Sequence, residues 1–230
     1  MVKTVRQPRR NALITGASSG LGHEIAAILL KKGNSVVNVS RNRADLDCGN
    51  IQTDLTSNTS ITRAIRKIRK NHRDANLLIL CAGVLHWHAA GRNSFATVDN
   101  DIAVNLSGMI KIAEGVLPVI KKNRGDIVII GSTSSFNTPP GSSIYCAAKH
   151  GVLGYIKALQ TECKNEDIRI FGIHPGGFKS PFHTKARTKI DHSTLIDPRE
   201  IALLIVSLLD LPRNMEVSEI IINRKVTKGG

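Results

Sequence analysis

Apolar positions along the chain fall into short β-branched runs, each followed by a longer stretch of helical period. The short runs predict seven strands, Asn11–Thr15, Ser35–Ser40, Asn50–Gln52, Leu77–Cys81, Asp126–Ile130, Ile168–His174 and Val217–Asn223. Between them, Leu21–Lys32, Ile61–Lys70, Val98–Lys122, Tyr145–Lys164 and Pro198–Leu211 predict helices. Ile61, Ala64, Ile65 and Ile68 stand at i, i+3, i+4 and i+7, while Arg63, Arg66, Lys67, Arg69 and Lys70 cover the opposite face. A membrane or a nucleic acid would suit that basic helix, but packing on a sheet with a charged outer face produces the same pattern and is the expectation. Strands alternating with helices, without internal repeats, predict one α/β domain over residues 1–230 built on a doubly wound parallel sheet. The segment 176–197 carries no clear element. Ligands of open α/β sheets bind beyond the carboxyl ends of the strands, which makes this segment a candidate substrate lid.

Composition narrows the class. With glycine counted, about 48 % of the residues are apolar, which suits a packed core and not a disordered chain. The longest uncharged apolar stretches, Leu77–Leu85 and Ile201–Leu209, fall far short of the roughly 20 residues a bilayer requires, so no membrane span is expected. The basic start, Met1 to Arg10, is followed only by Ala12 to Thr15 before a glycine, which predicts no secretory signal and a cytoplasmic protein. Cys48, Cys81, Cys146 and Cys163 form no CxxC pair and indicate neither a disulfide framework nor a metal site. The formal charge of +14 favours acidic partners such as nucleic acid, anionic membranes or phosphorylated ligands, although a solvated cationic surface has the same composition.

Two motifs carry chemistry. Leu13-Ile14-Thr15-Gly16-Ala17-Ser18-Ser19-Gly20-Leu21-Gly22 joins the first strand to the first helix. Its glycines permit a tight turn and close backbone approach, with the helix N-terminus aimed at a pyrophosphate. The second is Tyr145-Cys146-Ala147-Ala148-Lys149, with Ser132 thirteen residues before the tyrosine, at the end of a strand. Tyr and Lys four residues apart share a helix face, so the ammonium is expected near the phenol oxygen, favouring its ionised form.

Together these motifs make the chain resemble the short-chain dehydrogenase/reductase superfamily from about Asn11 to Arg224, with a Rossmann-type fold. The resemblance implies that Tyr145 is the general acid/base, that Lys149 lowers its pKa and holds the nicotinamide ribose, and that Ser132 polarises the substrate carbonyl. It implies that Asn105 completes a water-mediated proton relay to the lysine. It also assigns Gly16, Ser18, Ser19, Gly20, Leu21, Gly22, Leu55, Ala82 and Gly83 to the cofactor, with Asp54 at the adenine amino group, Pro175 and Gly176 near the nicotinamide, and Ser180 at the cofactor's amide or phosphate. One departure stands out: Cys81 replaces the asparagine of the family's N-A-G, putting local stiffness in doubt. The helices Val98–Lys122 and Tyr145–Lys164 match those the family pairs across a two-fold axis, implying a homodimer or homotetramer.

Cofactor choice follows from the end of the second strand. An NAD enzyme of this topology needs a carboxylate there for the ribose hydroxyls, whereas the chain reads Ser40-Arg41, with Arg43 next and the first acid at Asp45. A hydroxyl and a guanidinium suit a 2′-phosphate, so NADP is the expected cofactor. The expected reaction is hydride transfer between the nicotinamide and a carbonyl or alcohol. Lys179, His183, Lys185, Arg187, Lys189 and His192 on the candidate lid suit an anionic substrate or an acidic carrier protein, with 3-oxoacyl-thioester reduction as the alternative, and disfavour a steroid. A catalytically idle, cofactor-sensing regulator bound to nucleic acid is the alternative of another class. It has no need of the full Ser, Tyr, Lys and Asn set, so nucleic acid is not the expected partner.

Overall fold

The structure, a computed structural model, describes residues 9–180 and 192–225. Seven parallel strands form one sheet: β1 (Asn11–Thr15), β2 (Ser35–Ser40), β3 (Gly49–Gln52), β4 (Leu77–Leu80), β5 (Asp126–Ile130), β6 (Arg169–Pro175) and β7 (Glu219–Ile222). Their spatial order is β3-β2-β1-β4-β5-β6-β7. Thr15 pairs with Val39 on one side and Leu80 on the other, so the winding reverses between β1 and β4 and opens a crevice beyond their carboxyl ends.

Helices α1 (Gly20–Lys31) and α6 (Pro198–Leu209) cover one face of the sheet, where Ile25, Leu29, Ile201 and Ile205 meet Ile14, Ile79 and Phe171. On the other face lie α2 (Asn58–Asn71), α4 (Gly108–Lys122) and α5 (Ser143–Glu162), with Ile61, Ile68, Ile112, Val116 and Ile156 against Leu13, Leu78 and Ile127. Covering both faces explains why the central strands read as continuous apolar runs.

The differences from the sequence expectation lie at element ends. The Ser57 side chain accepts the Ser60 N–H, so α2 starts at Asn58 and not Ile61. The expected helix Val98–Lys122 begins earlier, as α3 (Phe95–Ile102) capped by Ser94, and passes through a π turn (Ala103–Ser107) into α4. The 28-residue run Phe95–Lys122 is long and apolar enough by composition to cross a membrane, but Met109, Ile112, Ala113, Val116 and Ile120 are buried against the sheet and α2. At the far end, α6 stops at Leu209, whose carbonyl accepts from Arg10 and Arg169. Single-residue shifts move β3 to start at Gly49, β4 to end at Leu80 and β6 to Arg169–Pro175, while β7 contracts to Glu219–Ile222 and α5 runs from Ser143 to Glu162.

Below the sheet, away from the crevice, the buried Asp126 carboxylate is held by Arg10, Arg169 and Arg213, with Arg169 bidentate at 2.8 and 2.9 Å. Burial alone would raise its pKa, but the Arg169 hydrogen bonds and the three guanidinium charges hold it below the usual carboxylate range.

Candidate active site

The glycine turn lies at the crevice. Gly16 has φ +80°, and a Cβ there would stand 2.9 Å from Ala82 Cα; one on Gly22 would stand 2.4 Å from the Gly16 carbonyl oxygen. Only glycine fits both places. The N-terminus of α1 opens at Gly20 (φ +57°), beside Ser180, whose buried Oγ has no hydrogen-bond partner within the described residues. Backbone stacked without side chains, a helix N-terminus and an unsatisfied hydroxyl fit a phosphate-bearing dinucleotide.

At the end of β2, the Gly16 N–H donates to Ser40 Oγ at 3.1 Å, and the Ser40 hydroxyl donates to Asn38 Oδ1. Buried Asn38 donates in turn to Asn50 Oδ1 and the Asn42 carbonyl, both at 2.9 Å. Ser40 therefore positions the glycine turn, and exposed Arg41 lines the cavity at that edge. Across the crevice, Asp54 accepts from the N–H and hydroxyl of Thr56, which lowers its pKa.

Ser132 immediately follows β5, and Tyr145 and Lys149 occupy successive turns of α5. Ser132 lies close enough to the Tyr145 phenol to pull its pKa down. The Lys149 ammonium donates to the Ile130 carbonyl at 3.0 Å and lies 5.7 Å from the centre of the Tyr145 ring. Burial pushes the Tyr145 phenol up to about 12, with Ser132 pulling the other way, and pushes the Lys149 ammonium down to about 8. Cys81, whose charge couples to Lys149, is raised to about 12 by burial. The missing asparagine at position 81 is compensated locally: Thr15 Oγ1 accepts the N–H of both Cys81 (3.0 Å) and Ala82 (3.2 Å), tying β1 to the segment after β4.

A single cavity of about 980 Å³ runs from Arg41 and Asp54, past the glycine turn, to Ser132, Tyr145 and Lys149. A family profile described as short chain dehydrogenase matches residues 10–191. The chain belongs to the short-chain dehydrogenase family. It is 27 % identical over 223 residues to an uncharacterized oxidoreductase of Staphylococcus saprophyticus, covering 91 % of this chain and 94 % of that one. To the 3-oxoacyl-[acyl-carrier-protein] reductase of Buchnera aphidicola it is 32 % identical over 187 residues, 77 % of each chain. Among solved structures, the fold matches an alcohol dehydrogenase from the archaeon Thermococcus sibiricus complexed with 5-hydroxy-NADP, with a TM-score of 0.86 at 22 % identity, covering 97 % and 100 % of the two chains. It also matches a 3-ketoacyl-(acyl-carrier-protein) reductase from Brucella melitensis complexed with NADH, with a TM-score of 0.81 at 24 % identity and coverage of 92 % and 95 %.

For this short-chain dehydrogenase, the cavity gathers the residues expected from sequence, Gly16, Ser18, Ser19, Gly20, Leu21, Gly22, Ser40, Arg41, Asp54, Leu55, Ala82, Gly83, Ser132, Tyr145, Lys149, Pro175, Gly176 and Ser180. Asn105 differs. It sits buried in the π turn with its side chain clamped on the Val84 backbone, accepting from the N–H at 3.0 Å and donating to the carbonyl at 2.9 Å, and it does not line the cavity. Of the lid residues, Gly176, Gly177, Phe178 and Ser180 line the cavity, while His183, Lys185, Arg187 and Lys189 lie outside the described residues. Sequence reasoning missed His86, Trp87, Thr97, Asn100, Asn137 and Arg224, which also line it. They come from connecting segments and from α3, where neither period nor motif marks a site.

Proposed function

We propose that the protein is an NADP(H)-dependent oxidoreductase that transfers a hydride between the nicotinamide and a carbonyl or alcohol, working in the cytoplasm as a homodimer or homotetramer. The observation that carries this reading is the gathering of Ser132, Tyr145 and Lys149, the last two one helical turn apart, in the cavity that contains the glycine turn. When bound, the nicotinamide supplies or accepts the hydride at its C4. In reduction, the Ser132 hydroxyl donates to the substrate carbonyl, and Tyr145, protonated at neutral pH, gives its proton to the oxygen as negative charge develops there. Lys149 holds the ribose hydroxyls and returns a proton to Tyr145. Asn105 acts as a positioning residue, fixing Val84 at the cavity wall.

Arg41 supports the NADP reading, standing where an NAD enzyme of this topology would carry a carboxylate. The reading is tested by fluorescence titration with NADPH and NADH, followed by consumption of the reduced cofactor across ketones, aldehydes and 3-oxoacyl thioesters. Tighter binding of NADPH with carbonyl-dependent consumption is expected, and equal binding of the two cofactors would remove the NADP assignment. The similarity to the Buchnera aphidicola reductase favours 3-oxoacyl-thioester reduction as a second reading. A thioester turned over faster than every simple ketone would establish it.

A further inference from the structure

Asp101, near the end of α3, is completely buried, a placement that carboxylates adopt almost only when paired. Its Oδ1 lies 2.6 Å from His86 Nδ1 and also accepts from Asn100 Nδ2 at 3.3 Å, while its Oδ2 is buried with no hydrogen-bond partner within the described residues. Packing alone does not explain an acid at this position, since an apolar side chain would leave no orphan oxygen. The pair has a direction. His86 follows β4 and lines the cavity that holds Ser132 and Tyr145, with 43 % of its side chain exposed. The carboxylate fixes the ring through Nδ1, and a protonated ring keeps Nε2–H as the donor left to give. His88 lies parallel to that ring, with centroids 6.4 Å apart.

Charge around the cavity selects the ligand. Among the described lining residues, Arg41, Lys149 and Arg224 are cationic, and Asp54 is the one acid. Asp101 does not line the cavity, so an entering ligand meets the imidazole and not the carboxylate behind it. We infer that His86, oriented by Asp101, binds the carboxylate of the substrate, which makes that substrate an oxo acid in reduction or the corresponding hydroxy acid in oxidation. This rests on the proposed carbonyl reduction at Ser132 and Tyr145. The substrate then spans the cavity with its carbonyl at those two residues and its carboxylate at His86, so that His86 decides which carbonyl compounds are held productively.

The test compares a ladder of short and medium oxo acids with their methyl esters, in the wild type, in His86→Gln and in the double variant His86→Leu/Asp101→Val. The double variant removes both charges together and leaves no buried carboxylate unpaired. The wild type should favour each productive acid over its ester, and both variants should raise KM for the acid by about ten- to a hundredfold, the range of one charge-assisted hydrogen bond. The kcat values and the ester KM should stay within a few fold. Calorimetric titration of the same acids into the protein saturated with oxidised cofactor reads the site without turnover and should show the same loss. Acid binding that depends on His86 without turnover would uphold the carboxylate site and remove the hydride-transfer reading. Turnover with no preference for acid over ester, an unchanged preference in both variants, or no acid binding would overturn the inference.

Discussion

The Lys149 ammonium donates to the Ile130 carbonyl at 3.0 Å, so the last residue of β5 and the second turn of α5 share a buried charge. Ile130 and Ser132 stand two residues apart, and the lysine therefore fixes the strand end that presents the serine. Without cofactor, its charge is spent on the backbone while Tyr145 remains a strongly protonated acid.

A pH dependence follows. Burial lowers Lys149 to about 8, so the ammonium is charged below that pH and neutral above it. The kcat/KM for reduced cofactor reports groups of the free enzyme and should fall as pH rises through about 8. In Lys149→Arg, where the charge does not titrate, that alkaline limb should disappear, whatever the overall rate. A limb unchanged in this variant would assign it to another group.

Arg41→Ala should weaken NADPH binding by about one to two decades and leave NADH nearly unchanged, as expected for one charge-assisted phosphate contact. Adding Ser40→Asp should shift the preference toward NADH. It also removes the hydroxyl that donates to Asn38, so lower thermal stability than Arg41→Ala alone is expected. Parallel fluorescence titrations and melting curves separate the two effects.

Gly22→Ala would place a methyl carbon 2.4 Å from the Gly16 carbonyl oxygen, a backbone atom that yields only if the turn moves. A stability loss of about 1–3 kcal/mol is expected, with NADPH affinity falling along with it. Calorimetric melting and a cofactor titration check the pair of effects, and an alanine tolerated in both would show that the turn is not closely packed.

Asp126 gives a prediction independent of catalysis. Its carboxyl is lowered in the folded protein, so the stability it contributes is present above the unfolded carboxylate pKa of about 4 and is lost as pH falls through the folded value. Asp126→Asn leaves buried Arg10 and Arg169 without their counter-charge, Arg213 keeping Asp167, and should cost about 3–5 kcal/mol at neutral pH. Denaturant unfolding of the two proteins should converge below pH about 4. A constant gap across that range would contradict this account.

Much of this was legible in the sequence where a residue type is dictated locally. The glycines at 16, 20 and 22 are required by backbone geometry, and Tyr145 and Lys149 share a helix face by spacing alone, so their placement follows from one element each. What escaped depends on which partner a side chain finds in three dimensions. Asn105 was expected in a relay, and nothing in the sequence showed that from the π turn its side chain would also hold the Val84 backbone. Lys149 was expected near the phenol, and its spacing held no sign that the ammonium would also hold the Ile130 carbonyl at the end of β5. Ser40 was expected at a phosphate, and the sequence did not show that its hydroxyl would donate to Asn38, two residues before it on the same strand face. Asp101 belongs to no motif, and only the fold brings it, buried, against His86.

The central claim is that Tyr145 moves the proton in a nicotinamide-dependent hydride transfer. It is tested most directly by following NADPH consumption with a carbonyl substrate in the wild type and in Tyr145→Phe, alongside NADPH binding in both. Wild-type protein should consume NADPH only when the carbonyl is present. The variant should bind NADPH as tightly while turning over about 10²–10⁴-fold more slowly, the range for loss of a positioned acid/base. Undiminished turnover in Tyr145→Phe, or no carbonyl-dependent consumption by the wild type, would contradict the account.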